Sequence, residues 1–186
     1  MIDYLTLMLT NMTAGLVLLS AYLIWGLPGP DSQGWSAGFA AVGLVAIVTG
    51  LHMSLTWPLR GSYNVAFGEP TVLLGAAFLA ASLSLAMGWR LTAVAVYGAV
   101  AGVMIVLLGT QIIRSMPPTK APVLAGLGFI FTGLGAILVL PAVLWPQWRW
   151  LRAPAVLLLL AGAAIWGVTA FNAYPAHLKG FAEWKG

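Results

Sequence analysis

Leu91-Thr-Ala-Val-Ala-Val-Tyr-Gly98-Ala-Val-Ala-Gly102-Val-Met-Ile-Val-Leu-Leu-Gly-Thr-Gln111-Ile-Ile113 runs between Arg90 and Arg114 without a charge. A helix needs ~20 predominantly apolar residues to cross the hydrocarbon core of a bilayer, and this segment has that length. Working outward, charges act as punctuation. Further charge-free runs occupy Tyr4 to Pro30, Ser32 to Leu59, Pro70 to Trp89, Ala121 to Trp148 and Ala153 to Leu178. None shows the strict two-residue alternation of a barrel strand, and in lipid the backbone must satisfy itself, so each run reads as a helix.

The expected fold is therefore all-α, a polytopic membrane protein of one domain with six transmembrane helices. Their expected spans are about 4–26, 35–59, 70–89, 91–113, 122–144 and 153–174, at ~20 residues each. Composition agrees: charged residues are 6% and hydrophobic residues 61%, with a mean hydropathy of +0.99. A soluble domain carries roughly 25% charge. The net charge of +4 is scattered and forms no basic run, so nucleic-acid binding is not read from it. Without cysteine there is no disulfide, thiolate metal site or thiol nucleophile. The N-terminus lacks the basic region of a signal peptide and reads as a retained first helix.

Leu-Pro-Gly-Pro-Asp-Ser-Gln-Gly, Leu27 to Gly34, makes the first connection a turn. Gly88-Trp89-Arg90 makes helices 3 and 4 a tight hairpin, Pro117-Pro118 breaks the chain before helix 5, and a short polar tail is expected after Pro175. Six spans put both termini on one side, with Arg60, Arg114, Lys120, Lys179 and Lys185; Arg90, Arg149 and Arg152 fall on the other. The excess places both termini in the cytoplasm of a cell-membrane protein. Six of the nine tryptophans (Trp25, Trp35, Trp89, Trp145, Trp148, Trp150) gather at the opposite interface as a belt. Small residues let helices approach in lipid: Gly98 and Gly102 in helix 4, Ala163 and Gly167 in helix 6, and Gly126, Gly128, Gly133 and Gly135 in helix 5. They suit packing within the bundle first and contacts between subunits second.

Chemistry concentrates between His52 and Pro70. Thr49, His52 and Thr56 share one face of helix 2, a polar stripe that should avoid lipid. An ionisable group inside a membrane is a functional candidate, and imidazole changes charge near neutral pH. The competing reading is a neutral imidazole bonded to a neighbouring helix. Glu69 precedes Pro70, which suits the first helical position, so its carboxylate either caps helix 3 or forms the charged mouth of a cation or amide site. The loop from Gly61 to Gly68 is apolar enough to dip inward as a re-entrant segment, where Tyr63 and Asn64 would orient a ligand. Asn11 lies about two turns in from the same side, in a shared layer of depth with His52, Glu69, Gln111 and Asn172.

The cofactor is unknown from sequence. Met8, Met12 and Met53 with His52 form a thioether and imidazole set of the kind that holds copper(I), although methionine in such helices is usually filler. A haem could use His52 with a methionine or a second subunit, since His177 is expected beyond helix 6. Hydrolytic and nucleotide-dependent chemistry lacks its motifs.

The segment Trp57-Pro58-Leu59, Tyr63-Asn64-Val65-Ala66-Phe67-Gly68-Glu69-Pro70 and Gly75 resembles the signature of a small family of uncharacterised prokaryotic integral membrane proteins. The layout is also loosely similar to the urea and amide channels, which implies six helices and an aromatic-rich entry to helix 3 and transfers no residue roles. The residues point to a channel or small transporter for a small polar solute or cation, with His52 as proton-sensitive gate or ligand. The alternative is a non-transporting subunit of a respiratory or photosynthetic membrane complex, holding haem, quinone or metal near His52. The expected partners are the lipid bilayer and further copies or other subunits.

Overall fold

A computed structural model describes residues 4–27, 29, 32–59, 61–115 and 121–182, with no side-chain detail for Ser115 or beyond Pro175. Arg60, Lys120, Lys185, Asp31 and the Pro117-Pro118 break lie outside the described residues, as do the side chains of His177 and Lys179.

Six helices follow: α1 Leu5–Ala21, α2 Ser36–Thr56, α3 Tyr63–Ala86, α4 Thr92–Ser115, α5 Pro122–Leu144 and α6 Arg152–Ala182. Each supplies most of a helical segment long and apolar enough to cross a membrane, and among the described residues there is no strand. Successive helices pack together and α6 packs on α1, closing the bundle into a ring.

The contacts explain the order. Gly43, Gly50, Gly68 and Gly75 seat α2 directly on α3, and a Cβ at Gly50 would meet Gly68 and Val72 within 3.0 Å. On α5 the glycines divide between two neighbours. Gly126 and Gly133 face Gly109 and Gly102 of α4, while Gly128 and Gly135 receive Trp166 and Leu159 of α6. Backbones can approach this closely only where no side chain intervenes. Phe39, Phe78, Leu16, Leu23 and Leu159 fill the ring's centre.

The first helical segment ends at Gly26, as expected, while three other boundaries differ from the sequence reading. α1 continues through a wide π-type turn, Tyr22–Gly26, whose Leu27 N–H donates to Tyr22 O at 2.8 Å. α2 ends at Thr56, because Trp57 adopts a left-handed backbone (φ 47°) and Pro58 follows. α3 begins at Tyr63, so the 2–3 connection is short, and among the described residues it forms no re-entrant segment. Pro70 sits inside the helix, depriving the Ala66 carbonyl of its usual N–H partner. α6 passes through Pro175 to Ala182, so the segment expected to be a tail is helical and includes position 177.

The 3–4 turn is short, with Gly88 at φ 68°, but the two helices part above it. Phe78, Leu74, Ala95 and Gly98 border an apolar crevice of about 80 Å³ there. No glycine pair joins α3 to α4, and Gly98 meets nothing within 4 Å. At this end of the bundle Trp25, Trp89, Trp145, Trp148 and Trp150 are exposed, the last three stacked in a row. Arg152, buried beneath them, donates to the Pro146 carbonyl.

Candidate functional site

A cavity of about 540 Å³ opens at the other end, where α1, α3 and α5 begin and α6 nears its end. Its walls include Leu5, Thr6 and Leu9 from α1, Tyr63 and Phe67 from α3, Leu124 and Ala125 from α5, and Trp166, Thr169 and Asn172 from α6. The inner end is an aromatic cluster. Phe67, Phe129 and Trp166 lie with centroids 4.9–6.2 Å apart, and Tyr63 stacks on Phe67 at 6.1 Å. Beneath the cluster the glycine pattern of α5 makes room: a Cβ at Gly128 would come within 2.7 Å of the Trp166 ring. One turn further, Thr132 Oγ1 accepts the Trp166 indole N–H at 3.0 Å, which fixes the ring's orientation.

The polar groups along the wall are neutral. Thr6 is 7% exposed and its hydroxyl has no partner among the described residues. The Thr169 hydroxyl donates to Ile165 O, leaving it free to accept from a ligand. Asn172 stands exposed at the rim. No charged side chain among the described residues lines the cavity. The space suits an uncharged molecule that alternates hydrogen bonds with contact against ring faces.

Of the residues singled out in the sequence, Tyr63 and Asn172 border this cavity. Asn64 is fully buried and closes the 2–3 turn. Its Oδ1 accepts Leu59 N–H at 3.0 Å, and its Nδ2 donates to Leu59 O at 2.6 Å and Gly61 O at 3.2 Å. Its amide is thus engaged in positioning the start of α3. Asn11 pins α1 to α2 by donating to Val42 O at 3.0 Å. The Thr49 and Thr56 hydroxyls donate to Val45 O and His52 O, each at 2.7 Å.

His52 is exposed on the outside of the ring, at the α1 edge of α2. Its Nδ1 is hydrogen-bonded to the Tyr4 hydroxyl at 2.7 Å, with the rings edge to face. Met53 and Met8, proposed as its sulfur companions, are buried in the core. Glu69 lies in the second turn of α3 and is exposed, so it neither caps the helix nor borders the cavity. Spacing along the sequence puts these groups at one depth but carries no record of inward or outward direction, and the structure sends His52 and Glu69 outward. Phe67, Phe129, Thr132 and Trp166 were missed as a set because each reads as ordinary apolar core. The available signal was Gly128, a gap of indole size one turn before a threonine.

A family model described as "Protein of unknown function (DUF981)" matches residues 1–180. The chain belongs to the DUF981 family. No curated protein and no solved structure matches this DUF981 chain, so its chemistry has to be argued from the site itself.

Proposed function

We propose that this DUF981 protein is an integral membrane channel or small transporter for a small uncharged polar solute, with the cavity as its vestibule. The observation that carries the reading is the cavity itself: about 540 Å³ among four helices, with neutral hydrogen-bonding groups and no charged lining among the described residues. A permeant of urea, formamide or glycerol size would leave water at the rim by bonding Asn172 and Thr169. It would then pass Tyr63 and Thr6 to the barrier formed by Phe67, Phe129 and Trp166. An uncharged lining favours such a solute over a cation, which would need compensating oxygens or carboxylates in a medium of low dielectric constant. Asn64 acts indirectly by holding Tyr63 in place. In this reading the protein resides in the cell membrane with both termini cytoplasmic, following the excess of Lys and Arg on that side.

The test is osmotic flux in proteoliposomes by stopped-flow light scattering, with urea, formamide and glycerol as permeants. Wild-type protein should exceed empty liposomes for at least one of them, and Ala125→Phe, which fills the wall, should slow that permeant. Equal rates for wild-type and empty liposomes with all three would end the proposal.

A second reading, a non-transporting subunit of a larger membrane complex, is favoured by one observation: His52 and Glu69 are exposed on the ring's outer face. A visible absorption band lost in His52→Ala, together with stoichiometric co-purification of a second protein, would support it.

A further inference from the structure

The Glu69 carboxylate makes no hydrogen bond or ion pair with any other described residue. It sits six residues into α3, ~9 Å from the helix start at 1.5 Å per residue, on a face whose other exposed members are apolar, Val65 and Leu83 among them. The neighbouring exposed face of α2 is likewise apolar, with Leu44, Val48, Leu51 and Leu55. Such surface is at ease in lipid, whereas a carboxylate within it is costly and calls for a partner. At the far edge of the same surface stands His52. Tyr4 holds its Nδ1, and Nε2 has no partner among the described residues.

The packing of α2 on α3 sets the relative level of acid and base. Gly50 rests against Gly68 O and Val72 N, and Gly68 in turn against Ser54 N and Met53. His52 lies midway between Gly50 and Ser54, and Glu69 follows Gly68, so the two are at one height along the bundle. They are separated across the surface by the exposed row of α2. A two-fold axis parallel to the bundle moves no residue up or down. It exchanges the two edges of a face, so a base and an acid at equal height on opposite edges are brought together twice.

We propose that the outer α2–α3 face binds a second copy of this chain about such an axis, with His52 Nε2 on the partner's Glu69 and the reverse pair completing the contact. This assignment is independent of the solute proposed for the cavity. The resulting pairs are charge-assisted hydrogen bonds removed from water, the stronger class of such bonds. The apolar row of α2 lies between them.

Because the chain has no cysteine, cross-linking can be read without background. His52→Cys and Glu69→Cys variants, co-reconstituted and oxidised with copper phenanthroline, should give a covalent dimer, and each alone should give much less. A double variant carrying both should stop at dimer on a denaturing gel. As a second readout, wild-type protein should be dimeric by native mass spectrometry, and Glu69→Gln should raise the dissociation constant roughly tenfold or more while leaving helix content by circular dichroism unchanged. Four results would overturn the proposal. They are cross-linking no better than that of a Val100→Cys control on exposed α4, a ladder of higher oligomers from the double variant, unchanged dimer affinity in Glu69→Gln, and a monomer that co-purifies with a different protein in fixed ratio.

Discussion

Gly98 and Gly102 stand one turn apart on α4, yet an added methyl should act oppositely at the two positions. At Gly102 a Cβ would lie 2.6 Å from the Gly133 carbonyl oxygen and 3.0 Å from Ile137 Cγ1. Carbon and carbonyl oxygen settle at ~3.3–3.6 Å, so α4 and α5 must part by ~0.7–1 Å, because the obstacle is backbone and cannot rotate away. A gap of ~0.5–1 Å forfeits a quarter to a half of each contact's attraction, and overpacking of this kind costs about 1–3 kcal/mol. Alanine returns up to about 1 kcal/mol through its helix propensity. Gly102→Ala should therefore destabilise by up to about 2 kcal/mol. Gly98 meets nothing within 4 Å, so Gly98→Ala should keep the propensity gain alone. Gly133→Ala meets Gly102 O at 2.5 Å and should behave like Gly102→Ala. Once the helices have parted the second methyl costs less, so the Gly102→Ala/Gly133→Ala double variant should fall short of the sum. Reversible unfolding in mild detergent, titrated with dodecyl sulfate and followed by circular dichroism, gives these differences. Equal midpoints for Gly98→Ala and Gly102→Ala would refute the proposed α4–α5 contact.

Asn64→Ala removes three hydrogen bonds and leaves Leu59 N–H without its acceptor; it should cost about 2–4 kcal/mol in the same titration, against about 1 kcal/mol for Asn11→Ala, which loses one. Gly128→Ala should drive the Trp166 ring away from Thr132, which difference spectra against Trp166→Phe would record as an altered tryptophan emission maximum. Thr132→Val leaves the buried indole N–H without an acceptor, and a loss of about 1–3 kcal/mol is expected on unfolding.

The six spans were legible because twelve charged residues in 186 can only punctuate so apolar a chain. The boundaries that differ are those where tertiary contacts override local preference. Glu-Pro at 69–70 looks like a helix start, but Asn64 and the glycines of the α2–α3 seam hold about two extra turns, Tyr63 to Glu69, in helical form despite the proline. Helix 5 announced its four glycines as a single packing feature. Positions 126 and 133 lie roughly 200° around the helix from 128 and 135, because two residues advance the helix by that angle, so they serve different neighbours. The cavity was not legible for the same reason. It exists only where the ends of α1, α3, α5 and α6 diverge, and periodicity along one helix carries no record of its neighbours' angles. His52 shows the limit of depth arguments most plainly. Its level follows from counting, but its outward direction follows from Asn11 binding Val42 and Tyr4 reaching Nδ1.

The most direct test of the solute route is to block it at one atom. Thr169→Cys places the only thiol of the chain in the cavity wall, where a membrane-impermeant methanethiosulfonate can reach it from the rim. Flux of the permeant that wild-type protein conducts should persist in the unmodified variant, fall to the empty-liposome rate after modification, and return on reduction. If the thiol is fully modified and flux continues unchanged, solute does not pass through this cavity.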